Sequence, residues 1–97
     1  MPIFVQHIET RQHGDDQFFD KPIITYGNCY DGYEEHITQK DIVFSEDSLQ
    51  RIRKAVWSSQ EIYDRFFAQP DVIRWSADRD AFNTLNGITL KKIVYEI

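Results

Sequence analysis

Apolar and polar residues alternate at both ends of the chain, which is the spacing of a β-strand. Residues 2–9 carry apolar side chains at both alternating sets of positions, so this predicted strand is covered on at least one side. Residues 88–97 alternate in the same way. We expect this C-terminal strand to return and pair with the N-terminal strand or its neighbour.

Two shorter β-like segments lie in the first half of the chain. Residues 17–26 contain several apolar side chains, although Pro22 cannot donate to a ladder and marks a strand start, an edge or a bulge. Residues 41–44 are short, apolar and β-branched, and residues 10–16 form a polar turn or loop between the first two strands. The pattern predicts an antiparallel meander.

The period then becomes helical. Ser45 is a good N-cap with two acids after it, and Leu49, Ile52 and Val56 follow at helical spacing, which predicts a helix over residues 46–57. On this helix Arg51 and Lys54 can share a face, which is expected to be solvated, while Arg53 points away from it.

Two more helices are predicted in the second half. Ser58 and Glu61 have capping-box spacing, so a helix is expected over residues 59–68, stopped by Pro70. Ser76 could cap a third helix that runs through residue 85 and ends at Asn86-Gly87. The rival interpretation takes Asn86-Gly87 as a hairpin turn between two strands.

Strands and helices are therefore segregated along the chain, as they are in an α+β fold. We predict an antiparallel sheet of about three to four strands, packed against two to three short helices from the middle of the chain. A length of 97 residues predicts a single domain, residues 1–97.

Composition predicts where the protein is located in the cell and shows that charge is unevenly distributed along the chain. The chain is 41% hydrophobic and 28% charged, which is typical of a globular protein. It has one cysteine, no signal-like hydrophobic start and no membrane-length apolar run, so a soluble cytoplasmic protein with no membrane partner is expected. Residues 1–47 hold ten acids and three bases, a formal charge of −7, which disfavours direct nucleic-acid binding.

No residue pattern names a catalytic activity, a cofactor or a metal. Cys29 lies among carboxylates, which raise a thiol pKa and disfavour a nucleophile. His13, Asp15 and Asp16 match no established ligand spacing. We therefore predict a protein that is not an enzyme, with no cofactor and no metal.

Residues 26–36 contain three tyrosines, two glycines and three acids, a composition that suits protein recognition. The alternative is that these tyrosines border the core with their hydroxyl groups in water. The predicted partner-binding residues are drawn from this stretch and from the acids before it: Asp15, Asp16, Asp20, Tyr26, Tyr30, Asp31, Tyr33, Glu34 and Glu35.

The leading hypothesis is a small, acidic, non-enzymatic inhibitor that docks on a basic, nucleic-acid-binding surface of a larger protein. In its sharper form the carboxylates mimic DNA phosphates, as in phage inhibitors such as some anti-CRISPR proteins, an analogy of size and charge only. Two alternatives stay open. One is a regulatory or adaptor subunit that binds through apolar surface, and the other is a small ligand-binding or enzyme domain that acts as a dimer.

Overall fold

One antiparallel four-stranded sheet with helices against it forms the architecture of the computed structural model, which describes residues 1–97. The strands are β1 (Ile3–Thr10), β2 (Ile37–Phe44), β3 (Gln50–Trp57) and β4 (Thr89–Glu96), in the spatial order β2-β3-β1-β4. The helices are α1 (Ile23–Tyr26), α2 (Gln60–Phe67) and α3 (Pro70–Asn86), with a 3-10 turn at Glu34–His36. The predicted α+β fold class is confirmed.

Alternation along β1 gives the sheet two different faces. Ile3 and Val5 are buried beneath the helices, and Phe4 and Ile8 point to the opposite face, where they are partly exposed. The strand pairs with β3 on one side and with β4 on the other. The expected pairing of the C-terminal strand with the N-terminal one is therefore confirmed.

Local signals fix the ends of α2 and α3. The Ser59 hydroxyl accepts a hydrogen bond from the Ile62 backbone N–H at 3.2 Å, which caps α2 one residue after the predicted cap. Pro70 is at the first position of α3, where its missing N–H costs nothing, and Gly87 ends α3 with a φ of 66°. Both predicted helices are confirmed, α3 begins earlier than expected, and the hairpin alternative is wrong.

The core lies between α2, α3 and the inner face of the sheet. Phe66 is 1% exposed, and its ring centroid lies 5.2 Å from that of Trp57 and 4.8 Å from that of Tyr30. None of the helices is long and apolar enough to cross a membrane.

The predicted helix over residues 46–57 is wrong, because residues 50–57 of this segment form β3. Ile52 and Val56 are four residues apart, a spacing that fits a helix face and also fits alternate positions of a strand. Their β-branched side chains favour the strand. The consequence for Arg51 is large: it is 8% exposed in the interior and does not lie on a solvated helix face.

The predicted strand over residues 17–26 and the meander are also wrong. Phe18 and Phe19 lie on an irregular segment, and Pro22 precedes the four-residue helix α1. The Phe19 ring packs near Phe82 of α3, with 5.7 Å between centroids. Because the chain crosses the core here, β1 pairs with β3 and β4 and not with the next strand in sequence.

The predicted third strand is part of β2, which begins at Ile37 and is longer than expected. Its pairing with β3 is irregular between Thr38 and Asp41, where Gln39 has a φ of 52°. This bulge changes the direction of the side chains that follow.

Candidate active site

A cavity of about 500 Å³ lies between the inner face of the sheet, the segment before α1, and the helices α2 and α3. This volume is in the range of small-molecule sites, roughly 300–1,000 Å³. The sheet contributes alternate residues of its two central strands, among them Val5 and His7 of β1 and Arg53 and Ala55 of β3. The cavity is thus a product of the same alternation that builds the core.

Aromatic side chains make up seven of the 20 residues that line the cavity. Trp57 and Tyr63 meet edge to face with 5.3 Å between ring centroids, and Tyr63 and Phe67 lie 4.7 Å apart. The aromatic members of the lining are Phe19, Tyr30, Trp57, Tyr63, Phe66, Phe67 and Trp75. Flat, apolar walls of this kind suit a planar aromatic ligand.

Lys21 is held in this aromatic wall. Its Nζ donates a hydrogen bond to the Tyr30 hydroxyl at 2.9 Å and lies 4.5 Å from the centre of the Trp75 ring. Burial, with a smaller contribution from the Arg53 charge, lowers the pKa of Lys21 to about 8. The ammonium group is therefore charged at neutral pH but easily discharged.

His7 lies in the same cavity in its neutral form. Burial lowers its pKa to about 4, and the charges of Lys92, Arg79, Arg53 and Lys21 act in the same direction. Its Nε2 is buried and has no hydrogen-bond partner in the protein. An unpaired buried polar atom is costly, so this atom is available to a ligand.

Unpaired buried polar atoms are concentrated around this cavity. Five buried side-chain nitrogen or oxygen atoms have no partner, and four of them belong to cavity residues: His7 Nε2, Arg53 Nε, Tyr63 Oη and Trp75 Nε1. The fifth is Asn83 Oδ1. Because buried polar groups are nearly always paired, this clustering makes the cavity the candidate site for a ligand with polar groups.

The charge of the cavity is positive although the chain has a formal net charge of −5. Five basic and two acidic residues line it. Of the two acids, Glu9 is already paired with Arg51, whose Nη2 lies 2.9 Å from Glu9 Oε1, and Asp41 is exposed. Lys21, which is partly buried, has no acidic partner, and Arg53, which is 30% exposed, has only the Glu9 carboxylate at 3.8 Å.

The predicted partner-binding residues do not form one surface. Tyr26 is buried and donates to Asp78 at 2.7 Å, and Tyr30 and Tyr33 pack their rings against Phe66. Tyr30 also lines the cavity. The carboxylates Asp15, Asp20, Asp31, Glu34 and Glu35 are exposed, and Asp16 is partly buried.

Two of these acids make local contacts. Asp16 accepts from the His13 backbone N–H at 3.1 Å, and Asp20 lies 3.5 Å from Arg51. Cys29 is buried, with its thiol 3.7 Å from the Tyr26 carbonyl oxygen. No three histidine, cysteine, aspartate or glutamate side chains converge in a group that could hold a metal ion.

The sequence analysis missed the cavity residues His7, Lys21, Arg53, Trp57 and Trp75. A signal for two of them is present in the sequence. Arg53 and Trp57 fall on the same face of a strand, and assigning residues 50–57 to a strand would have put both on the inner face, with Ala55 between them. Lys21 and Trp75 meet only through the tertiary fold.

Comparison with known proteins shows the fold. No protein family and no curated protein sequence matches the chain. The structure of Rv0793 from Mycobacterium tuberculosis has a TM-score of 0.65 at 12% identity, covering 100% of this chain and 95% of that one. SnoaB, a cofactor-independent oxygenase from Streptomyces nogalater, has a TM-score of 0.58 at 12% identity, covering 99% and 91%. A proposed antibiotic biosynthesis monooxygenase from Deinococcus radiodurans has a TM-score of 0.60 at 10% identity, covering 98% and 91%.

These neighbours overturn the leading sequence-based hypothesis. Over nearly its whole length the chain shares its fold with SnoaB and with the Deinococcus radiodurans protein, and it holds a cavity of about 500 Å³. The prediction of a non-enzymatic inhibitor that mimics DNA, of the phage or anti-CRISPR kind, is wrong. The alternative of a small ligand-binding or enzyme domain agrees better with the findings, and the basic partner protein stays an untested prediction.

Proposed function

We propose that the chain is a small oxygenase that works without a cofactor on an aromatic substrate bound in the cavity. The observation that carries this proposal is the aromatic cavity of about 500 Å³ with four unpaired polar atoms around it. It is supported by the likeness of the fold to a cofactor-independent oxygenase. We also propose that the protein is located in the cytoplasm.

An oxygenase without a cofactor must take its electrons from the substrate. The substrate is then an electron-rich aromatic molecule with an activated CH₂ group. Loss of a proton gives a carbanion that adds to O₂, and protonation gives a hydroperoxide. Loss of water turns the CH₂ carbon into a carbonyl, so one oxygen atom enters the product and the other leaves as water.

The residues of the cavity favour the proton-loss step. Lys21 and Arg53 are cations in a largely apolar environment, where they stabilise a nearby anion more strongly than they would in water. His7 Nε2 is the proposed acceptor of the proton. The substrate anion would raise the low pKa of His7, because it offsets the surrounding positive charges.

Oxygen uptake with an anthrone, which has such a CH₂ group, tests the proposal. In chelator-treated, flavin-free buffer we expect one O₂ consumed for each quinone formed, faster than in protein-free buffer. Ala55→Phe, which fills the cavity, should abolish the acceleration. The matched control Ala81→Phe lies at an exposed position of α3 and should leave the rate unchanged. No acceleration across a panel of anthrones, or equal rates in the two variants, would refute the proposal.

A further inference from the structure

We propose that Lys21 and Arg53 form an anion-binding subsite inside the cavity, which holds the carboxylate of an aromatic carboxylic acid. The inference rests on the proposed function only in taking the cavity as the substrate site. It adds the chemical class of the substrate: an aromatic acid, where the proposed reaction alone requires only an electron-rich ring with an activated CH₂ group.

The weak acidic compensation of two partly buried cations, Lys21 and Arg53, is the first argument. The Lys21 ammonium group is held by the Tyr30 hydroxyl and by the faces of the Tyr30 and Trp75 rings, at 5.0 and 4.5 Å from their centres. Lys21 forms no ion pair within the protein, since the buried acid of the cavity, Glu9, pairs with Arg51. A buried charge is costly unless an opposite charge meets it. An anionic ligand would meet that need.

The geometry of Arg53 selects the kind of anion. Its Nε is buried and makes no hydrogen bond, and the closest carboxylate oxygen, Glu9 Oε1, lies 3.8 Å away. A guanidinium group binds the two oxygens of a carboxylate through parallel N–H donors, one of which can be Nε. The unpaired Nε therefore favours a carboxylate over a single-oxygen anion.

The positive charge is local to the cavity. The chain as a whole is acidic, so its overall field repels anions and does not explain a cationic interior. Arg79 adds a further positive charge at the cavity wall, 5.5 Å from the centre of the Trp75 ring. The acid Asp80 beside it pairs with Arg79 at 3.2 Å and is exposed.

The alternative is that Lys21 only fastens the segment before α1 to the aromatic core. In that case its removal would lower stability and leave ligand selectivity unchanged. Ligand selectivity is thus the readout that separates the two roles.

The test compares 2-naphthoate with its neutral analogue 2-naphthylmethanol, measured by quenching of the fluorescence of Trp57 and Trp75 and by calorimetry at pH 7. We expect 2-naphthoate to bind at least about tenfold more tightly than 2-naphthylmethanol, because its carboxylate can form charge-assisted hydrogen bonds. Lys21→Met and Arg53→Met should each remove most of that preference. The control Lys91→Met, at an exposed position on the opposite face of the sheet, should keep it.

A second measurement needs no variant. As the pH rises through about 8, Lys21 loses its charge while 2-naphthoate keeps its own. The affinity of the wild-type protein for 2-naphthoate should therefore fall. Its affinity for 2-naphthylmethanol, which is neutral, should stay the same. The groups that act on Lys21 are Arg53, Arg79, Glu9 and Cys29, together with its hydrogen-bond partner Tyr30.

Three outcomes overturn the inference: equal affinity of the wild-type protein for the acid and the alcohol, a preference that survives both substitutions, or 2-naphthol binding as tightly as 2-naphthoate. The result is separable from the proposed function. Selective binding of 2-naphthoate without any oxygenation supports the subsite and refutes the oxygenase. Oxygenation of neutral aromatics with no preference for the acid refutes the subsite alone.

Discussion

Arg51 meets the buried carboxylate of Glu9 directly across the two central strands, with 2.9 Å between Arg51 Nη2 and Glu9 Oε1. Arg51 also donates to the Phe19 carbonyl oxygen at 2.9 Å. One side chain therefore neutralises an acid at the cavity and anchors the irregular segment that carries Lys21. The Arg51–Glu9 pair depends on the register of β1 with β3, and the bond from Arg51 to Phe19 holds one wall of the cavity in place.

Replacing Arg51 by methionine should lower the free energy of unfolding by about 3–5 kcal/mol, because it leaves the buried Glu9 carboxylate with only the longer contact to Arg53 Nε, at 3.8 Å. Urea denaturation at pH 7 measures this. Asp20→Asn is the control: it removes the exposed partner of Arg51 and should cost less than about 1 kcal/mol. A loss of less than about 1 kcal/mol for Arg51→Met would show that the buried Arg51–Glu9 pair does not stabilise the fold.

His7 should make the protein sensitive to mild acid. Above pH 6.5 the imidazole is neutral in both states, whereas between pH 6.5 and about 4 the unfolded chain takes up a proton that the folded chain does not. Stability should therefore fall over this interval, by roughly 3 kcal/mol from this group. In His7→Gln that part of the fall should disappear, and His13→Gln, in an exposed loop, should behave as the wild-type protein. Parallel pH profiles for all three proteins would contradict the account.

Phe66 should be the phenylalanine whose loss costs most. It is 1% exposed and its ring contacts those of Tyr30, Trp57 and Phe67, so Phe66→Ala should cost about 3–5 kcal/mol. Phe44 is 54% exposed, and the same substitution there should cost about 1 kcal/mol or less. Thermal and urea unfolding of both variants checks the difference. A similar loss of stability at the two positions would contradict the assignment of Phe66 to the core.

The sequence predicted the fold class because its strongest signals are local. The predicted cap Ser58 is one residue from the observed cap Ser59, Gly87 marks the end of α3, and the alternation of the terminal strands survives in β1 and β4, whereas the start of α3 at Pro70 was missed. It could not decide residues 50–57, because Ile52 and Val56 satisfy both the helical and the strand period. The pairing of β1 with β3 depends on the register of distant strands, which no local pattern contains.

The site was harder to predict than the fold. The tyrosine-rich residues 26–36 stand out by their composition, yet Tyr30 contributes to the cavity through its ring and its bond to Lys21, not through an exposed face. The cavity joins His7, Lys21 and Trp75 from three distant parts of the chain. Their proximity is a tertiary property, and their isolated positions in the sequence carry no catalytic spacing.

Isotope labelling tests the central claim most directly, namely that the cavity carries out oxygenation without a cofactor. The wild-type protein and Ala55→Phe are incubated with an anthrone under ¹⁸O₂ in chelator-treated, flavin-free buffer, and the products are analysed by mass spectrometry. We predict one ¹⁸O atom in each quinone formed by the wild-type protein, and no formation above the protein-free rate with Ala55→Phe. Product oxygen derived from water, dependence on added flavin or metal, or undiminished labelling with Ala55→Phe would contradict the claim.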